Sequence, residues 1–171
     1  MKKSTLSLLI FLLIAVNQII TAVGIQRALV IGIDIYNPKE IQGRWQNLDG
    51  CANDALSVKQ VLEARYGFRD ENIKKLINSE ASRDSILGGF EKLLTNSEAG
   101  DIAVIYYAGH GSQVRNSLSE EKDLKDETMV PADSYLGAKD IRDKELALIF
   151  NKSADSTMIS FAASKFNMSS I

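Results

Sequence analysis

The chain has 171 residues, 45% of them hydrophobic and 25% charged, with a formal net charge of −2. That balance suits one globular α/β domain able to bury a core unaided, and it offers no basic field for nucleic acid or an anionic membrane. One cysteine, Cys51, excludes an internal disulfide, and one histidine, His110, excludes the usual Cys/His zinc sites.

The first segment has the layout of a secretory signal peptide. Lys2 and Lys3 precede an apolar run, Leu6–Val16, broken only by Ser7, and the small residues Ala22 and Gly24 follow. Residues 1–24 are therefore expected to be cleaved, leaving residues 25–171 exported to the periplasm or the extracellular space without stable membrane association. The alternative is a membrane anchor, but Asn17 and Gln18 interrupt the roughly 20 apolar residues that a span requires.

Arg27–Ile35 is aliphatic on both faces, as a strand of a helix-covered parallel sheet must be. Tyr36–Gly50 carries turn residues, Ala52–Tyr66 has helical apolar spacing, and Gly67 stops it. Asn72–Ile77 reads as a second strand. Ser82 or Asp84 caps a second helix whose stripe is Ile86, Leu87, Phe90, Leu93 and Leu94. Asp101–Ala108 is the third strand, followed by a charged loop around Glu120–Glu127, an extended Met129–Pro131 and a helix over Asp143–Phe150. Strands alternating with helices predict a right-handed parallel α/β sheet whose chemistry gathers beyond the carboxyl ends of its strands.

His110 follows the third strand by two residues, between Gly109 and Gly111. Glycines permit a sharp turn and close approach, and imidazole is the usual acid and base near neutral pH. Alone, this pattern more often marks a hydrogen-bonded structural histidine. Its setting is more informative. RALVIGIDIY (27–36), LDGCANDA (48–55), YYAGHGSQ (106–113), DETMVPAD (126–133) and IRDKEL (141–146) stand in an order that resembles the large-subunit region of the caspase and metacaspase cysteine peptidases, over about Gln26 to Phe150.

The resemblance implies an α/β, caspase-like (caspase-hemoglobinase) parallel sheet flanked by helices, acting as an endopeptidase on peptide or protein substrates. It implies that His110 activates a cysteine on the loop after the next strand and that the Gly111 amide helps hold the oxyanion. It places Asp54 where an acid favours a basic side chain before the cleaved bond. Cys51 takes a position near the site without being the principal nucleophile, its alternative being a small buried side chain. No cofactor is expected except calcium, for which Asp126 and Asp143 are weak candidates, because Lys144 puts a cation where a further acid often stands.

The sequence departs from the family at its nucleophile. About 50 residues beyond His110 there is no cysteine, nor anywhere after Cys51. Deletion of the nucleophile segment is the favoured explanation, with Thr157–Ser164 taken as the strand that follows the missing loop. Substitution by Asp155-Ser156-Thr157 is the alternative. The domain is thus expected to be a fragment or inactive, its sheet incomplete at the C-terminal side and open to self-association. The rival readings are a pseudopeptidase that binds extended peptides or a protein partner, and a flavodoxin-like phosphate binder. The second lacks a glycine-rich loop after the first strand.

Overall fold

The computed structural model describes residues 24–38, 45–116, 122, 124–151 and 158–164, with the backbone alone for 158 and 161–164. Nearly all of the leader, the Asp155-Ser156-Thr157 alternative, and Glu120, Glu121 and Asp123 lie outside these residues. With strands numbered in chain order, β1 (Gln26–Gly32), β2 (Ile73–Ile77), β3 (Ile102–Ala108) and β7 (Met158–Ser164) form a parallel sheet in the order β2-β1-β3-β7.

Successive side chains of a strand point to opposite faces, so each strand of a covered sheet needs two apolar sets. Leu29, Ile31, Ile105 and Tyr107 join one buried cluster with Ile86, Phe90 and Leu94. Ala28, Val30, Tyr106 and Ala108 join another with Cys51, Ala55 and Leu62. Helix α1 (Cys51–Tyr66) therefore covers one face, while α2 (Arg83–Thr95) and α3 (Asp143–Phe150) cover the other. Each aliphatic side chain buried this way contributes roughly 1.5–3 kcal/mol.

The helix ends are set by local chemistry. The Asp34 carboxylate, just past β1, accepts from the Cys51 and Ala52 amides at 2.7 and 3.1 Å. That fixes the start of α1 at the carboxyl edge of the sheet and places a negative charge on its positive pole. Gly67 ends the helix in a left-handed conformation, φ 73°, with its amide on Leu62 O. Ser82, rather than Asp84, caps α2, its Oγ accepting from the Ser85 amide at 3.2 Å.

One expectation is corrected. The stretch after β3 is more than a charged loop: β4 (Gly111–Arg115), β5 (Lys125–Met129) and β6 (Ile141–Arg142) form a small antiparallel sheet. Its inward positions include Asp126 and Thr128, 1% and 3% exposed, so the apolar alternation that announces a strand is absent. The tail strand, expected within Thr157–Ser164, runs from Met158 to Ser164 and pairs directly with β3, from Ile102↔Met158 to Ala108↔Ser164. It forms the sheet edge among the described residues.

Asp101 ties the start of β3 to the start of β1. Its carboxylate accepts from the Ile25 amide at 2.6 Å and the Glu98 amide at 2.9 Å, and it pairs with Arg27. The Glu98 amide foremost, then those of Ile25 and the Arg27 guanidinium, hold this carboxyl below its usual range despite burial. A depressed folded value adds stability that is complete above the unfolded value of about 3.9 and is lost as pH falls through the folded one. Asp101→Ala is expected to destabilise by about 1–3 kcal/mol at pH 7. In urea titrations the gap to wild type should narrow below about pH 4; a gap independent of pH would exclude the carboxylate charge as its cause.

Candidate catalytic site

The Gly109-His110-Gly111 turn leaves β3 under tight steric control. A Cβ on Gly109 would lie 2.3 Å from Tyr36 Oη and 2.8 Å from Tyr107 Oη, so no side chain fits. The His110 amide donates to Tyr36 Oη at 2.8 Å, and its carbonyl accepts from the Val130 amide at 3.0 Å. Tyr107 Oη donates to His110 O at 2.7 Å and also reaches Val130 O at 3.1 Å. Its proton thus directed, Tyr107 Oη accepts from Tyr36 Oη at 3.3 Å. Burial pushes both phenols well above their ordinary pKa, so they remain protonated donors at neutral pH.

The imidazole of His110 lies between two aromatic rings. Its centroid is 4.6 Å from that of Tyr36 and 5.1 Å from that of Trp45, and the residue is 4% exposed. Nε2 is 2.8 Å from the carbonyl oxygen of Gln46. A carbonyl only accepts, so Nε2 carries the proton of the neutral ring, and Nδ1 is left with its lone pair. Nδ1 is buried and has no hydrogen-bond partner among the described residues. A neutral histidine with its tautomer fixed and its other nitrogen open is arranged to take a proton at Nδ1.

Gly111 begins β4 opposite Met129. Because the Val130 amide donates to His110 O, this is the wide, non-hydrogen-bonded kind of antiparallel pair, and the Gly111 amide points away from β5. Asp54 occupies the first turn of α1, half-buried, its own amide bonded to Gly50 O at 2.8 Å. The starts of α1 and β4 both adjoin the carboxyl edge formed by β1 and β3, so His110, Gly111 and Asp54 share that edge. Cys51 lies there too but has no exposed surface. Its side chain packs among Val30, Ala55 and Ala108, which fits the small buried alternative and not the lining of a groove.

The calcium candidates are elsewhere and engaged. Both oxygens of Asp126 accept from Asn116 Nδ2 at 3.0 Å, and Arg142 stands 3.4 Å from one of them. Asp143, at the exposed start of α3, accepts from the Lys144 amide at 2.7 Å and faces its ammonium at 3.9 Å. Among the described residues no three His, Cys, Asp or Glu side chains are grouped to hold a metal.

Sequence reasoning passed over Tyr36, Trp45 and Gln46, which hold the histidine. Two aromatic residues in the loop that leaves the carboxyl end of the first strand were the available signal, since ligands of such sheets gather there.

Comparison with known proteins bears on the fold and the family. The family model described as "Metacaspase, peptidase C14 domain" matches residues 26–160. Metacaspase III c of Phaeodactylum tricornutum is 34% identical over 130 residues, covering 73% of this chain and 37% of that protein. Metacaspase-1 of Plasmodium falciparum is 36% identical over 116 residues, covering 63% of this chain and 18% of that one. A crystal structure of a Geobacter sulfurreducens protein superposes with a TM-score of 0.67 at 26% identity, covering 81% of this chain and 49% of the other. The chain thus spans well under half the length of these curated relatives.

Two outcomes are expected. Tyr36→Phe leaves the buried His110 amide without its acceptor and should destabilise by about 1–3 kcal/mol; an unchanged urea midpoint would show that the amide finds another partner. Calorimetry should detect no micromolar calcium binding, and a micromolar site abolished by Asp143→Ala would overturn the account of the two aspartates.

Proposed function

Because the chain belongs to the metacaspase, peptidase C14, family, we propose that it binds extended peptides at the carboxyl edge of its parallel sheet, with His110 as the general base of a caspase-like cysteine peptidase site that lacks its cysteine. One observation carries this reading: Nδ1 of His110 is buried and open, while Nε2 is fixed on Gln46 O. A structural histidine would have both nitrogens satisfied. In a peptide-bound site Nδ1 would take the nucleophile's proton and return it to the leaving amine. The Gly111 amide, turned away from the β5 ladder, would donate to the oxygen that becomes negative.

Asp54 supplies the specificity. A half-buried carboxylate at this edge favours Arg or Lys before the scissile bond through charge-assisted hydrogen bonds. Turnover needs a thiolate, and the one thiol of the chain, Cys51, is sealed in the core. The chain as it stands therefore binds peptide without cleaving it, which is the pseudopeptidase form of the same fold. The apolar leader would deliver it outside the cytoplasm, and the β7 edge would be its surface for self-association.

The purified chain is expected to leave fluorogenic Arg-, Lys- and Asp-terminated peptide reporters intact. It should bind a fluorescent Arg-containing peptide, with affinity reduced about 10-fold in Asp54→Asn. Turnover abolished by His110→Ala or Cys51→Ala would overturn the inactivity. Binding indifferent to Asp54 would overturn the basic preference.

A further inference from the structure

Beside the small antiparallel sheet lies a cavity of about 530 Å³ in which neither His110 nor Asp54 takes part. Its walls come from residues 113–115 of β4, from Ser134 and residues 137–140 of the following turn, from Arg142 of β6, and from the first turns of α2 and α3. The volume falls within the range of small-molecule sites, roughly 300–1,000 Å³, but those sites are mostly apolar and this one is charged. Four cations, Arg83, Arg115, Lys139 and Arg142, stand against two carboxylates, Asp140 and Glu145. In a chain whose net charge is −2, that is a local excess of the opposite sign.

The four cations are not equally committed. Arg83 is paired with Glu145, and Arg142 stands 3.4 Å from the buried Asp126. Arg115 and Lys139 are exposed and have no ion pair among the described residues. Asp140 already accepts from the Thr128 hydroxyl at 3.2 Å. Ser134 supplies a separate observation. Its Oγ is buried and has no hydrogen-bond partner among the described residues, a condition that native proteins seldom leave without a reason. Two unpaired cations from different elements and an unsatisfied hydroxyl, gathered around one cavity, are answered together by an anion with several acceptor oxygens.

We propose that this cavity binds a phosphate group, with Arg115 and Lys139 supplying the charge and Ser134 a hydroxyl donor. A phosphate monoester presents three strong acceptor oxygens and carries a charge of about −1.5 to −2 at pH 7, which matches the two free cations. The guanidinium of Arg115 can grip two of those oxygens at once, while the Lys139 ammonium acts as a point charge. No aromatic residue is among the described residues that line the cavity, so a nucleobase would find no ring to stack on. The phosphate is therefore the free ion or the ester of a small polyol. The polyol's hydroxyls would donate to Asp140 and Glu145, whose carboxylates have lone pairs to spare. Nothing in this site depends on the peptide-binding reading.

The test uses the full chain, the double variant Arg115→Ala with Lys139→Ala, Ser134→Ala, and Lys92→Ala as a control. Lys92 is an exposed cation that lines a different cavity. Inorganic phosphate, glucose 6-phosphate and glucose are titrated by calorimetry at neutral pH and fixed ionic strength, and each protein is melted in phosphate and in matched chloride. Wild type and Lys92→Ala are expected to bind with equal affinity, and the double variant about 10-fold more weakly or worse. Ser134→Ala should bind about 5-fold more weakly, yet melt no lower than wild type without ligand, because a buried hydroxyl lacking a partner does not stabilise the free fold. Binding of glucose 6-phosphate tighter than inorganic phosphate, with glucose inert, assigns the site to an ester; the reverse order assigns it to the free ion. No heat with either phosphate would overturn the site. So would equal stabilisation of wild type and the double variant, which is the general effect of a salt excluded from protein surface. Unchanged affinity in Ser134→Ala would overturn the part given to its hydroxyl.

Discussion

The peptide unit of His110 is buried among aromatic rings, and the whole carboxyl edge is shaped by the need to satisfy its amide and carbonyl without water. An unpaired buried polar group costs roughly 1–3 kcal/mol, so the two groups must find partners inside the protein. Tyr36 and Tyr107 provide them, one hydroxyl for the amide and the other for the carbonyl. Tyr107 comes from β3 itself, but Tyr36 must be brought from the loop after β1. The Asn47 side chain holds that loop, accepting from the Tyr36 and Asn37 amides at 2.9 and 2.8 Å. Asn78, in a left-handed conformation of φ 50°, accepts from the Asp34 and Ile35 amides at 2.8 and 3.1 Å. The turn that carries His110 is thus fixed from β1, β2 and β3 at once, and Gly109 is the residue small enough to let the hydroxyls in.

The parallel sheet was legible because its signal is additive. Arg27–Ile35 and Asp101–Ala108 are apolar on both faces, and the stripe Ile86, Phe90, Leu93 and Leu94 recurs at helical spacing, each residue repeating the same message. His110 stood out as a candidate through the ordered motifs around it rather than through its two glycines alone. What escaped had signals of another kind. The strands β4 to β6 are short and bury polar residues, so Asp126 and Thr128 interrupt the alternation that marks a strand. Gln46 acts through a backbone carbonyl, which side-chain type does not encode, and the Trp45 ring was a signal only for the loop as a whole. The tail was legible as a strand within Thr157–Ser164, but the register against β3 that gives it its place exists only in three dimensions.

The small antiparallel sheet shows why polar burial can be structural. Asn116 closes the β4–β5 hairpin by donating to both oxygens of Asp126, and Arg142 approaches the same carboxylate from β6. A buried charge is tolerated only when it is paired and hydrogen-bonded, and here the pairing ties the three strands to one another. Those bonds occupy the oxygens that a calcium ion would require. Sequence spacing that suggested a cation site is accounted for by a strand-to-strand tie.

The two buried phenols give the site an alkaline limit. Tyr36 and Tyr107 would ionise near pH 10 in an unfolded chain, but burial raises both in the folded one. A raised folded value means that the stabilisation is complete below about pH 10 and is lost as pH climbs from there toward the folded values. Over that span the unfolded chain sheds phenolic protons that the folded chain keeps. High pH therefore does not deprotonate the clamp in place; it draws the molecule toward states in which the rings are released and the His110 turn is undone. The phenolate absorbance of these two rings, measured over the contribution of the chain's three other tyrosines, would consequently rise in step with loss of tertiary structure and gauge whether the histidine is still held.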